Sequence, residues 1–288
     1  MRIVLSRKGF DSTAGGGPSP VLEDDTMLSL PIPETGGEGH TPKNLAEANW
    51  HRYDDLILRP EIKRYCKNPR KREQKKHKHC HLDPDIRPEL WKKLPEGWYP
   101  AFGQCDASAK HLKNNLNLAD ILTDNVLFLF FGLFRRLQEN GKFTGAPFHA
   151  IWGYMLCDKV EEQTAQIPQW HPHAAENLTD NLLFIAKDKC YGTFKHCPKL
   201  ELTVHNQSPS RWKLDCLPWL DAENRLSNMT YHDDPKRFNL EKGYFQSTSP
   251  GQEFVVTSQA ADVQNLKWEN CSFCDILSNL RQLYPAKI

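Results

Sequence analysis

The longest apolar run in the chain, Val126 to Phe134, is broken only by Gly132. A run without polar alternation predicts a strand buried on both faces, and we place that strand at Asn125–Phe131. Arg2–Ser6, Phe148–Cys157 and Leu182–Ala186 predict further buried strands. Leu200–Val204 alternates weakly and predicts an edge strand. Val21–Leu22 and Met27–Ile32 flank the acidic turn Glu23-Asp24-Asp25, which predicts a hairpin. A charged turn is expected at Asp158–Glu162. Helical spacing is found in Asn44–Leu58, through Leu45, Trp50, Tyr53, Leu56 and Ile57, and in Asp106–Asn114. It recurs in Gln252–Leu280, where Val255, Val256, Ala260, Val263 and Leu266 are loosely periodic. Strands interleaved with helices predict an α/β or α+β fold, with a mixed central sheet and flanking helices.

Composition narrows this picture. Twenty prolines and 16 glycines exclude an all-helical chain, because each interrupts regular structure. With 39% hydrophobic and 25% charged residues the chain can bury a core, which disordered sequences cannot. The net charge of +1 carries no message, so electrostatic arguments have to be local. One segment supplies such an argument. Arg59–Lys78 holds ten Lys or Arg against two Glu and almost no large apolar residue. We therefore expect one globular domain over residues 1–288 with a basic insertion or arm at 59–80. The nine cysteines are irregularly spaced, and no apolar run reaches the roughly 20 residues needed to span a bilayer. The opening residues are too short for an export signal. These features predict a cytoplasmic protein with reduced thiols and no membrane association. Cys271-x-x-Cys274 lacks a second pair at zinc spacing, so a zinc ribbon is not expected.

Several polar constellations border the apolar strands. Arg7-Lys8-Gly9-Phe10-Asp11 follows the first strand and runs into Gly15-Gly16-Gly17. Strand ends in α/β sheets gather ligands, and cations followed by glycines can hold an anion. The phosphate-loop pattern itself is absent. In His81-Leu82-Asp83-Pro84-Asp85, alternation would put His81, Asp83 and Asp85 on one side, where they could bind a divalent metal or share a proton. Pro84 and Pro88 equally suit turns, and no metal is assigned. Gln104 offers a paired donor and acceptor that could read a base edge. Arg135 follows Gly132 at the end of the longest strand, and His149 opens the next. Trp170-His171-Pro172-His173 brings two imidazoles together, suited to proton transfer near neutrality or simply exposed in a loop. Glu253 could act as a catalytic carboxylate, or as a first-turn helix residue.

In order along the chain, several blocks form a pattern. They are Ser6–Asp11 with Gly16–Pro20, Ser29–Pro33, His81–Arg87, Gly103-Gln104, Ala109–Leu112, Phe128–Arg135, His149–Tyr154, His171–His173 and Gly251–Val255. This ordered set resembles the third of the nucleotide-modification-associated domain families, found in tailed phages and bacteria near DNA base-modification genes. The lysine-rich arm is an elaboration on that pattern. Asn125-Val126 departs from it, since the resemblance leads one to expect Gly-Asp there, and an acidic residue that is catalytic in relatives would be missing. The resemblance implies a part in making, reading or removing modified nucleotides, with nucleotide or DNA as partner and other modification enzymes as further partners. It names no cofactor.

Two classes of function follow. An enzyme acting on a nucleotide, or on a base in DNA, would use Asp11, His81, Asp83, His173 and Glu253 as catalytic candidates. Arg7, Lys8, Gly16, Gly17, Gln104 and Arg135 would then hold the nucleotide or phosphate. A non-catalytic module recognising modified DNA would instead stack a flipped base on Trp152 or Tyr154; a defence effector would share these contacts. If the arm meets DNA, deleting Arg59–Lys78 should flatten the salt dependence of duplex binding by roughly 0.9 in log–log slope per lost phosphate contact. Fluorescence anisotropy of a labelled duplex across a salt series measures this.

Overall fold

The computed structural model describes residues 2–10, 17–32, 81–91, 93–116, 126–162, 164–174, 178–214, 235–247 and 253–256. Its strands in chain order are β1 (Arg2–Arg7), β2 (Ser19–Val21), β3 (Ala101–Gln104), β4 (Val126–Leu137), β5 (Phe143–Glu161) and β6 (Leu182–Thr193). They continue with β7 (Arg211–Lys213), β8 (Phe238–Asn239), β9 (Tyr244–Gln246) and β10 (Glu253–Val256). A seven-stranded sheet runs β10-β1-β4-β5-β6-β3, with β2 also paired to β4; a three-stranded sheet runs β7-β9-β8.

The sheet is mixed, as the patterning predicts. β1 and β2 lie parallel to β4, whereas β5, β6, β3 and β10 make antiparallel pairs. The apolar run forms β4 and is buried from Val126 to Phe134 because both of its faces are covered. On one face, Phe128 and Phe130 meet Phe102 of β3 at ring-centroid distances of 4.9 and 5.3 Å. On the other, Phe131 meets Trp212 of the small sheet at 5.1 Å, and Trp212 meets Phe245 at 6.0 Å. Strand β3 sits at the far edge of the sheet, yet its Phe102 packs on β4. The sheet therefore curls into a half-barrel. Burial of each such aromatic contributes about 1.5–3 kcal/mol.

One edge of β4 is shared by two strands. β1 covers Val126–Phe131 and β2 covers Phe134–Arg136, so the chain leaves the sheet opposite Gly132 and Leu133. The Lys8 amide donates to the Phe131 carbonyl at 2.8 Å, and a Cβ on Gly132 would lie 2.7 Å from the Lys8 carbonyl oxygen. Glycine is required at that exit.

Several expectations need correction. β5 continues through Asp158 to Glu161, and β6 continues to Thr193, because each completes the other's ladder where a turn and a strand end were expected. Leu200–Val204 forms only isolated bridges, Ala150 with Glu201 and Thr203 with Trp212. Glu253–Val256, read as the start of a helix, is an edge strand on β1, where ladder hydrogen bonds override weak helical spacing. Among the described residues the only α-helix is α1 (Asp106–Asn115), so the flanking helices expected elsewhere are not shown. The expected hairpin is formed: Leu22 N–H donates to Thr26 O, and Leu28 N–H to Pro20 O. Asn44–Leu58, the basic arm and residues 257–288 lie outside the described residues. No helix among the described residues is long and apolar enough to cross a membrane.

His149 marks a constraint within this core. It is 7% exposed, and its Nδ1 lies 2.9 Å from the Pro209 carbonyl. Burial, reinforced by the positive charge of Arg7, pushes its pKa down to about 3. The folded state therefore holds His149 neutral, while the unfolded chain takes up a proton below pH 6.5. Stability from this residue is present above that pH and falls as the pH drops toward 3. Between pH 6.5 and 4 the loss should be on the order of 3 kcal/mol. Denaturant titrations at both pH values should show the loss in the native chain and a smaller one in His149→Gln.

Candidate functional site

The site grows from the free edge of β3. The segment 81–85 lies antiparallel to that edge, with Asp85 N–H donating to Ala101 O at 2.8 Å and Ala101 N–H to Asp85 O at 3.1 Å. Two residues further along the ladder the pattern changes. Gly103 N–H donates to the Asp83 side chain, Oδ1, at 2.7 Å. A side-chain carboxylate thus takes the place of a backbone acceptor, and its orientation is set by the sheet. The other oxygen, Oδ2, receives the Lys8 ammonium at 2.9 Å from the end of β1. The same ammonium lies over the Phe102 ring, 4.4 Å from its centroid. The curl of the sheet makes this possible, because it brings the end of β1 up to β3.

The turn Pro172–Ala174 sits on the same strand. A Cβ on Gly103 would fall 2.2 Å from His173 Cδ2, so the imidazole occupies the space that a side chain would fill. Asn181, just before β6, fixes the ring. Its Nδ2 donates to the His173 carbonyl at 2.6 Å, which leaves Oδ1 facing His173 Nδ1 at 2.9 Å. Nδ1 must then carry the proton, and Nε2 presents a lone pair. That nitrogen stands 3.9 Å from Asp83 Oδ2, and His81 Nε2 stands at the same distance. His171 lies behind, fully buried; its Nδ1 accepts from His173 N–H at 3.2 Å, and its Nε2 has no partner among the described residues.

The electrostatics follow from this packing. Burial alone would raise the Asp83 pKa, but the charged surroundings, the Lys8 ammonium first among them, outweigh it and hold the carboxyl well below the usual range. Burial pushes His173 down to about 4, against the pull of Asp83, and drives His171 well below its ordinary value. At neutral pH the centre holds an ionised carboxylate, an ammonium and neutral imidazoles at 171 and 173. Solvent reaches it mainly through His81, whose side chain is 23% exposed, against 2% for Asp83 and 5% for His173.

A family model described as nucleotide modification associated domain 3 matches residues 2–257. The chain belongs to this family. No curated protein and no solved structure matches it.

Within this nucleotide modification associated domain, the residues expected from the sequence part company. Lys8, His81, Asp83 and His173 meet. Asp85 does not join them: it is 2% exposed and accepts from the indoles of Trp91 (3.0 and 2.9 Å) and Trp98 (2.8 Å). Burial raises its pKa to about 7 despite those bonds. The expected alternation fails because Asp83 spends its side chain on a backbone position, whereas Asp85 makes the ladder bonds itself. Arg7, the last residue of β1, and Lys8 just after it diverge: Lys8 enters the cluster, and Arg7 lies close enough to His149 for its charge to lower that pKa. Arg135 is committed to the β4–β5 hairpin, donating from Nε to Gly145 O at 2.7 Å. Gln104 ends β3 and is 7% exposed, and Gly17 precedes β2. The Glu253 backbone pairs with Ser6, which places it at the end of β1. Asp11 and Gly16 lie outside the described residues. His171 and His173 are buried, not exposed in a loop.

Sequence reading missed Asn181 and the steric role of Gly103. A lone Asn before a strand carries no pattern, but Gly103 beside a flagged Gln104 was a usable signal of close backbone approach. Gly103→Ala should force the His173 ring aside and cost about 1–3 kcal/mol, the usual penalty for overpacking. Thermal unfolding checks the cost, and the His173 imidazole resonances should shift with it.

Proposed function

We propose that this chain is an enzyme of nucleotide or DNA-base modification whose reaction centre is formed by Lys8, His81, Asp83 and His173. The observation that carries the reading is the convergence of two imidazole Nε2 atoms on one buried, ionised carboxylate oxygen, each at 3.9 Å. A buried charge with several basic groups around it is costly to maintain, and such arrangements concentrate at functional sites. The centre has one semi-exposed side, at His81, through which a substrate would approach. Lys8, just after β1, brings positive charge to that centre and suits a phosphorylated substrate. Gln104 follows Gly103, whose backbone N–H bonds Asp83, and the Glu253 backbone pairs with Ser6 near the end of β1. In this reading the basic arm is an added DNA contact on a single domain, and other modification enzymes act before or after this one.

The binding-module alternative loses its main support. Trp152 and Tyr154, the residues that would stack a flipped base, are 1% and 5% exposed and belong to the core.

The test is the content of modified nucleosides in DNA and in the nucleotide pool, measured by mass spectrometry in cells that depend on this chain. Asp83→Asn and His81→Ala should each lower it at least about 100-fold, the scale on which a positioned acid–base group contributes. His81 is reached by solvent, so its substitution leaves the core intact. Unchanged levels with folded variants would sink the enzymatic reading.

A further inference from the structure

The same three side chains present another kind of chemistry. His81 Nε2, an Asp83 carboxylate oxygen and His173 Nε2 all lie within 4.8 Å of one another. A metal bound by imidazole and carboxylate wants donors about 2.0–2.2 Å away, hence about 3 Å from each other. The two imidazole–carboxylate distances of 3.9 Å exceed that by roughly 1 Å, and the imidazole–imidazole distance, at most 4.8 Å, exceeds it by up to about 2 Å. Semi-exposed His81 moves to close its own two gaps, and a small turn of the Asp83 carboxylate closes the third.

The outer contacts are those that a metal site requires. Asn181 accepts the Nδ1 proton of His173 and aims the Nε2 lone pair inward. Gly103 N–H occupies Asp83 Oδ1, leaving Oδ2 turned toward both imidazoles. Ligands are held in this way by partners that fix tautomer and orientation. Lys8 bonds the same Oδ2, but a carboxylate oxygen has a second lone pair and can accept from both. A cation there would meet repulsion from the Lys8 ammonium, which lowers its affinity without blocking the position.

We propose that His81, Asp83 and His173 bind one divalent transition-metal cation through two imidazole nitrogens and one carboxylate oxygen. Two nitrogens and one oxygen suit iron, cobalt, manganese or zinc in the divalent state better than magnesium or calcium, which take mostly oxygen. Three protein donors leave positions for water or for an oxygen or nitrogen of the substrate. That link to a nucleotide substrate rests on the function proposed above; the cation binding does not.

The experiment uses the full chain, stripped with chelator and titrated with Co2+, whose visible absorption reports its ligands. One equivalent should bind, displaced by Zn2+ and not by a large excess of Mg2+. Asp83→Asn and His173→Ala should weaken binding at least about tenfold, and Asn181→Ala by about tenfold, the lower end for an outer-shell partner. Lys8→Met should tighten it, because a competing charge is gone. A different tract, His77, His79 and Cys80, could bind Co2+ adventitiously, so its triple substitution should leave the equivalent in place. Binding that vanishes with the tract and survives in His173→Ala would overturn the proposal, as would no binding at submillimolar Co2+. In either event, loss of modified nucleosides in Asp83→Asn would still support the enzymatic reading, now as chemistry without this cation.

Discussion

A carboxylate shut away from water stays ionised only where protein groups replace its lost hydration. Asp83 meets that condition with two bonds: a backbone N–H from β3 on one oxygen, and the Lys8 ammonium on the other. Removing one partner from such a buried pair costs about 3–5 kcal/mol, since the remaining charge is then uncompensated. The rest of the architecture can be read as what supplies those two partners. The sheet curls so that the end of β1 reaches β3. Glycine at 103 exposes the backbone N–H and makes room for His173, and glycine at 132 lets the chain leave β1 beside β4.

The same arrangement explains why the imidazoles are neutral. Each is buried away from water, and that burial outweighs the pull of the Asp83 carboxylate on a proton. A neutral ring with its lone pair held toward an anion is an unusual thing to keep without a ligand or a reacting proton to use it. The enzymatic reading and the cation reading differ in what fills the space between the two Nε2 atoms and Oδ2.

Much of the fold was legible in the sequence, because continuous apolar runs such as Val126–Phe134 announce buried strands whatever their partners. The mixed sheet, β1, the Glu23–Asp25 hairpin and α1 all follow from local pattern. Strand ends were less legible. β5 runs past Asp158 because β6 pairs with it, and Glu253–Val256 becomes a strand because β1 offers an open edge; neither partner is visible locally. At the site, the motif His81–Asp85 and the pair His171–His173 were both visible, but not their meeting. That meeting depends on a carboxylate substituting for a backbone acceptor, which no periodicity encodes. Asp85 shows the complement: the same residue type two positions on becomes an anchor for two indoles.

The protonation state of His173 tests the account most directly. Long-range proton–nitrogen correlation spectra of uniformly 15N-labelled protein at neutral pH report each imidazole nitrogen separately. The account requires a neutral ring with the proton on Nδ1 and a bare Nε2, and Asn181→Ala should weaken that preference. A doubly protonated ring, or a proton on Nε2, would mean that no lone pair faces Asp83, and the site described here would not exist in that form.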